Sequence, residues 1–209
     1  MKRYKLYLFD FDGTLFNSEK ALEYIFCESF KAIGITVRPE DAMYISRIPL
    51  KESFDKYGGR EDQKDTFIDA IETTLASDRS IELTTFYPET KEFLDYLRNN
   101  GIQCGIVTSN NVEHVKVILD HLNVPHSTFQ TYVGSRETPK HKPHPDPILT
   151  ALKLANYKGD LKDVVYVGDG LNDMVCANAA GVDAILIDRI NEHPEGDYKK
   201  IKSLMDLIK

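Results

Sequence analysis

Two aspartates two residues apart close an apolar run near the start of the chain, in Tyr7-Leu8-Phe9-Asp10-Phe11-Asp12-Gly13-Thr14-Leu15. On an extended strand, residues i and i+2 face the same way. Asp10 and Asp12 can therefore leave one strand end together, and Gly13 lets the chain turn sharply after them. Carboxylates crowded like this repel one another and bind hard cations. Two more apolar runs end in polar residues of the same kind. Gly105-Ile106-Val107 is followed by Thr108, Ser109 and Asn110, and Val164-Val165-Tyr166-Val167 by Gly168, Asp169, Gly170, Leu171, Asn172 and Asp173. Between them, His141-Lys142-Pro143-His144-Pro145 sets a lysine in a proline-braced loop. Four carboxylates, small hydroxyls and one lysine suit a Mg²⁺ ion held by oxygen together with a phosphate. Lys142 can hold one phosphoryl oxygen, and Thr108, with nearby N–H groups at a helix start, can hold another.

The elements that must position these groups can be read from periodicity. Residues 5–9 form a buried strand, and residues 19–33 a helix with Leu22, Ile25, Phe26, Phe30 and Ile33 on one face, stopped by Gly34. The pattern stays helical to about residue 83, with no strand expected between 16 and 80. Beyond it, helix and strand alternate: helix from Pro88 to the stop at Gly101, strand 102–107, helix 112–122, strand 129–133, helix 145–155, strand 164–167, helix 171–180, strand 184–187 and a closing helix 198–208. Alternation of this kind predicts an α/β fold, a parallel sheet flanked by helices. Residues 1–15 and 86–209 are expected to form this core, and residues 16–85 an all-helical insertion. In such sheets ligands bind beyond the carboxyl ends of the strands, where the polar residues fall.

The chain has 209 residues and a formal charge of −7, without a basic run, so nucleic acid and anionic membrane surfaces are not expected partners. No stretch reaches the roughly 20 apolar residues of a membrane span. The N-terminal apolar run is stopped at Asp10, too early for a secretory signal. Cys27, Cys104 and Cys176 have neither metal-ligand nor redox spacing and suit a reducing compartment, so a cytoplasmic location is expected. A calcium loop starting at Asp10 would want glycine at its sixth position and glutamate at its twelfth; Gly13 is fourth and Ala21 twelfth.

Taken in order, these residues resemble the haloacid dehalogenase superfamily of phosphohydrolases. Asp10-Phe11-Asp12-Gly13-Thr14-Leu15 is similar to its first motif, Val107-Thr108-Ser109-Asn110 to its second, Lys142-Pro143 to its third, and Gly168-Asp169 with Asp173 to its fourth. The helical insertion resembles the small cap of the phosphoglycolate phosphatase and β-phosphoglucomutase branch. The resemblance implies a Rossmann-like core, Asp10 as nucleophile and Asp12 as acid and base. It also implies Mg²⁺ held by Asp10, the Asp12 carbonyl, Asp169 and Asp173, and phosphate held by Thr108, Ser109 and Lys142. The expected partner is a small phosphate ester, and a monomer is the default. In the insertion, Ile45-Ser46-Arg47-Ile48-Pro49-Leu50-Lys51-Glu52-Ser53-Phe54 looks like the specificity segment, although its spacing departs from the usual pattern. There Arg47 and Lys51 are candidates for holding the far end of the substrate, against the simpler role of solvated helix charges. The implied activity is a phosphatase; the competitors are a phosphomutase, a metal-independent dehalogenase and a non-enzymatic phospho-dependent binding protein.

Overall fold

Leu6, Tyr7, Leu8 and Phe9 are all buried, so the first strand is covered on both faces, as a central strand of a parallel sheet must be. The computed structural model describes residues 2–45, 48, 50–194, 196 and 198–209, with the backbone alone described at Met43. Its strands are β1 (Leu6–Phe9), β2 (Phe16–Asn17), β3 (Thr85–Phe86), β4 (Gln103–Val107), β5 (Thr131–Val133), β6 (Val164–Gly168), β7 (Asp183–Ile187) and β8 (Lys199–Ile201). Six of them form one sheet in the order β5-β4-β1-β6-β7-β8, every neighbouring pair parallel. The two-residue strands β2 and β3 pair separately.

The chain divides into two units, Met1–Asn17 with Phe86–Lys209, and Ser18–Thr85. The first holds the six-stranded sheet. Strand alternation sends Tyr7, Phe9, Val165 and Val167 to one face, where they pack with Phe93, Leu97, Val115 and Ile118. Leu6, Leu8, Val164 and Tyr166 go to the other, against Ile148, Leu152, Cys176 and Ala177. Helices α6 (Thr90–Asn99) and α7 (Val112–His121) therefore cover the first face, and α8 (Asp146–Leu154) and α9 (Leu171–Ala180) the second; the five preceding helices, α1 to α5, belong to the other unit.

Among its described residues that second unit is helical, apart from Thr85 at the start of β3: α1 (Glu19–Ala32), α2 (Pro39–Ile45), α3 (Leu50–Lys56), α4 (Lys64–Leu75) and α5 (Asp78–Leu83). Phe26, Phe30, Ile33, Phe54 and Phe67 share one core, with the Phe30 and Phe67 rings 4.7 Å apart. Gly34, at φ +77°, supplies the left-handed residue that ends α1.

Two expectations fail locally. A short strand, β2, lies within the stretch where none was expected. The closing helix is absent: residues 199–201 add β8 to the sheet edge, and a 3₁₀ turn, Leu204–Leu207, follows. Ile201, Leu204 and Leu207 are buried at intervals of three, a spacing that a helix face and a strand followed by a 3₁₀ turn both satisfy. Backbone pairing decides it: Asp188 N–H donates to the Ile201 carbonyl at 2.8 Å, and Ser203 caps the turn by accepting from Met205 N–H. Elsewhere the boundaries shift by one or two residues, α6 beginning at Thr90 and β5 at Thr131.

Asp188, immediately after β7, holds the return to β8. Its carboxylate accepts from the N–H groups of Glu192 at 2.9 Å and His193 at 3.3 Å, and Lys200 lies 3.4 Å away. Burial alone would raise this carboxyl's pKa, but these donors outweigh it and hold it below the usual value. A depressed carboxyl stabilises the fold above its unfolded pKa, near 4, and the contribution fades as pH falls through the folded value. Asp188→Asn is therefore expected to cost about 1–3 kcal/mol at pH 7 in urea denaturation. The difference from wild type should shrink below about pH 4; a cost independent of pH would contradict this origin.

Candidate active site

Lys142 is the centre of the site, with a side chain only 7% exposed. Its Nζ donates to Asp173 Oδ1 at 2.8 Å and Tyr166 Oη at 3.2 Å, and lies 3.0 Å from Asp10 Oδ1. Those partners come from separate elements. Asp10 follows β1 and has the strand parity of Leu6 and Leu8, the face covered by α8 and α9. Tyr166 lies in β6, in register with Leu8. Asp173 is in the first turn of α9, where its Oδ2 accepts from Gly170 N–H at 3.0 Å. Phe11 packs with Tyr7 and Phe9, so the alternation that turns Asp10 from that cluster continues past the strand's end.

One oxygen each from Asp10, Asp169 and Asp173 lies within 4.8 Å of the other two. The donors are all hard oxygens, and opposite ligands of a small octahedral cation stand about 4 Å apart, so the residues fit Mg²⁺. Asp169 is held where it must be by the first loop. Thr14 Oγ1 donates to Asp169 Oδ1 at 3.4 Å. At Gly13, with φ +76°, a Cβ would stand 2.3 Å from Asp169 Oδ2, so both the turn and the close approach require glycine. The loop itself is fastened from behind: Arg189 donates to the Thr14 carbonyl at 2.9 Å, pairs with Glu89 and lies over the Tyr87 ring, while Thr90 Oγ1 donates to the Leu15 carbonyl.

Asp12 stands apart from this cluster. Its Oδ2 accepts from Asn110 Nδ2 at 3.4 Å. Thr108 is buried at the end of β4, and its Oγ1 accepts from Asn110 N–H at 3.0 Å, leaving the hydroxyl's own proton available to a ligand. Ser109 is exposed beside it. His141 is exposed and His144 pairs with Asp146, so neither histidine belongs to the cluster. Lys51 lies on α3, exposed and paired with Asp55 at 2.8 Å; Arg47 lies outside the described residues.

The electrostatics follow from burial. Loss of water raises the Asp10 pKa well above the carboxylate range; Lys142 opposes this, and Asp173, Asp169 and Asp12 add to it by like charge. Burial would lower the pKa of Lys142, but Asp10 and Asp173 outweigh it, so the side chain stays an ammonium. Tyr166 is fully buried and its pKa is raised, first by burial and then by Asp173, so its hydroxyl is neutral. Burial lowers the pKa of His114, partly opposed by Asp12.

Sequence reasoning missed Tyr166 and placed Asn110 in the second motif without a partner. The one polar atom in the otherwise aliphatic run Val164–Val167 was the available signal for Tyr166. Nothing in the sequence foretold that Asn110 reaches Asp12.

Residues 7–187 match the family described as haloacid dehalogenase-like hydrolase. A phosphoglycolate phosphatase from Pasteurella multocida is 29% identical over 192 residues, covering 87% of this chain and 84% of that one. Phosphoglycolate phosphatase 1 of Pseudomonas aeruginosa is 27% identical, over 85% of this chain and 67% of its own. A haloacid dehalogenase-like family hydrolase from Streptococcus pneumoniae has the same fold, with a TM-score of 0.82 at 22% identity over 100% of this chain and 98% of that one. Among the described residues, no helix is long and apolar enough to cross a membrane. The parallel sheet, the acidic cluster at its carboxyl edge and a match spanning most of the chain agree: the protein belongs to the haloacid dehalogenase-like hydrolase family and is an enzyme, a phosphate ester hydrolase.

Proposed function

We propose that this enzyme is a Mg²⁺-dependent phosphatase of a small phosphorylated metabolite, acting through an aspartyl-phosphate on Asp10. The observation that carries this is the convergence of Asp10, Asp169 and Asp173 on one another and of Lys142 on two of them. Mg²⁺, held by those three carboxylates and the Asp12 carbonyl, would offset repulsion between an anionic nucleophile and an anionic ester. Asp10 attacks phosphorus, forming a new P–O bond as the bond to the leaving oxygen breaks. Asp12 gives that oxygen its proton, then takes one from the water that attacks the phosphoenzyme, releasing inorganic phosphate and free Asp10. Asn110, whose Nδ2 donates to Asp12 Oδ2 at 3.4 Å, steadies this carboxyl apart from the cation cluster. Lys142 and the Thr108 and Ser109 hydroxyls hold the other phosphoryl oxygens in line.

Short carboxylated phosphate esters are the first substrates to try, because curated relatives are named phosphoglycolate phosphatases.

Phosphate release from a panel of esters tests the whole reading. Wild type should release phosphate with Mg²⁺, lose that activity on chelation and regain it when Mg²⁺ is restored. Asp10→Asn should lower kcat by at least roughly a thousandfold, and Asp12→Asn by roughly 10²–10⁴-fold with KM little changed. Isomerisation of a sugar phosphate without net phosphate release would replace the phosphatase with a phosphomutase. Activity surviving exhaustive chelation would reject the metal.

A further inference from the structure

We propose that the Tyr166 hydroxyl is a positioning group of this site: it tethers Lys142 permanently and gives Asp173 a partner that the carboxylate can leave. The inference rests on the phosphatase reading above. Packing alone does not call for a hydroxyl here. Tyr166 is fully buried among Leu8, Val107, Ile148 and Cys176, where phenylalanine would fill the same space. A hydroxyl in such surroundings is costly unless it is bonded.

It is bonded three ways. Tyr166 Oη lies 2.8 Å from the Val107 carbonyl, 3.1 Å from Asp173 Oδ1 and 3.2 Å from Lys142 Nζ. The ammonium has no lone pair, so Tyr166 must accept from Lys142. Its single proton is then shared between two acceptors, Val107 O and Asp173 Oδ1. When Asp173 turns an oxygen to a cation, that proton can rest wholly on Val107 O, and no buried polar atom is orphaned.

The arithmetic at Lys142 is equally tight. Its three N–H groups meet Asp10, Asp173 and Tyr166. A cation and a phosphoryl group would draw away the first two partners. The reaction consumes nothing of Tyr166, which therefore keeps the ammonium in place as its other contacts change. Because Val107 immediately precedes Thr108, the same hydroxyl also ties the end of β4 to the lysine loop and to α9.

Tyr166→Phe removes the oxygen and keeps the ring. Three quantities decide the matter in the full-length protein: Mg²⁺ affinity by calorimetry without substrate, kcat and KM on an accepted ester, and Tm. The expected result is a roughly tenfold loss in both Mg²⁺ affinity and kcat, with KM little changed. Tyr157→Phe, whose hydroxyl donates to the Asp160 carbonyl, should alter neither. In an Asp173→Asn background, Tyr166→Phe should weaken Mg²⁺ binding by much less than it does alone, since the partner it steadies has changed. If the variant lowers Tm but leaves Mg²⁺ affinity and kcat at wild-type values, the hydroxyl is only a structural bond and the proposal is overturned. Absence of Mg²⁺ binding by wild type would overturn it as well. A wild type that binds Mg²⁺ but hydrolyses no ester would reject the phosphatase reading alone, and the affinity comparison would still judge Tyr166.

Discussion

The ammonium of Lys142, lodged between Asp10 and Asp173, is the interaction on which the site depends. All three side chains are nearly excluded from water, which makes each charge expensive alone. Together they are tolerable, because the ammonium answers both carboxylates and Tyr166 takes its third N–H. Asp169 joins the same cluster, so three carboxylates stand around one lysine, and the balance stays negative. That imbalance is useless to folding. It is suited to a divalent cation and to an anionic ligand that such a cation can recruit.

The parallel sheet brings the charges together cheaply. Asp10 and Asp169 sit just past a strand's carboxyl end, Asp173 in the first turn of the helix that follows and Lys142 in the loop before α8, so no strand hydrogen bond is given up for these charges. Alternation along β1 and β6 decides the side: Leu6, Leu8, Val164 and Tyr166 form one face, and Asp10 continues it toward Lys142 and Asp173 on the side of α8 and α9. Precision comes from close packing around small residues. Gly13 lets the first loop lie against Asp169, and Gly168 lets β6 end against Asp173, where a Cβ would come within 2.4 Å of the carboxylate.

Much of this was legible from sequence because it rests on local signals. Strands ending in Asp10, Thr108 and Asp169 have short apolar runs stopped by small polar residues, and the helices of both units have regular apolar spacing. The parts that escaped depend on tertiary partners. Tyr166 reads as one more buried strand residue until its hydroxyl is seen to meet Lys142. Asn110 reads as a loop residue until its amide reaches Asp12. The end of the chain was misread because Ile201, Leu204 and Leu207 satisfy two backbone geometries, and only the open edge of β7 decides between them.

If the acidic cluster is assembled at a cost that a divalent cation relieves, Mg²⁺ must stabilise the fold. Thermal melting of wild type and Asp169→Asn across a Mg²⁺ titration measures that relief. Wild type should gain Tm with a saturable dependence on Mg²⁺. Asp169→Asn, with one crowded charge removed, should melt no lower than wild type in the absence of Mg²⁺ and should gain little when it is added. A wild-type Tm indifferent to Mg²⁺, or an equal gain in both proteins, would mean that no cation relieves the crowding of Asp10, Asp169 and Asp173.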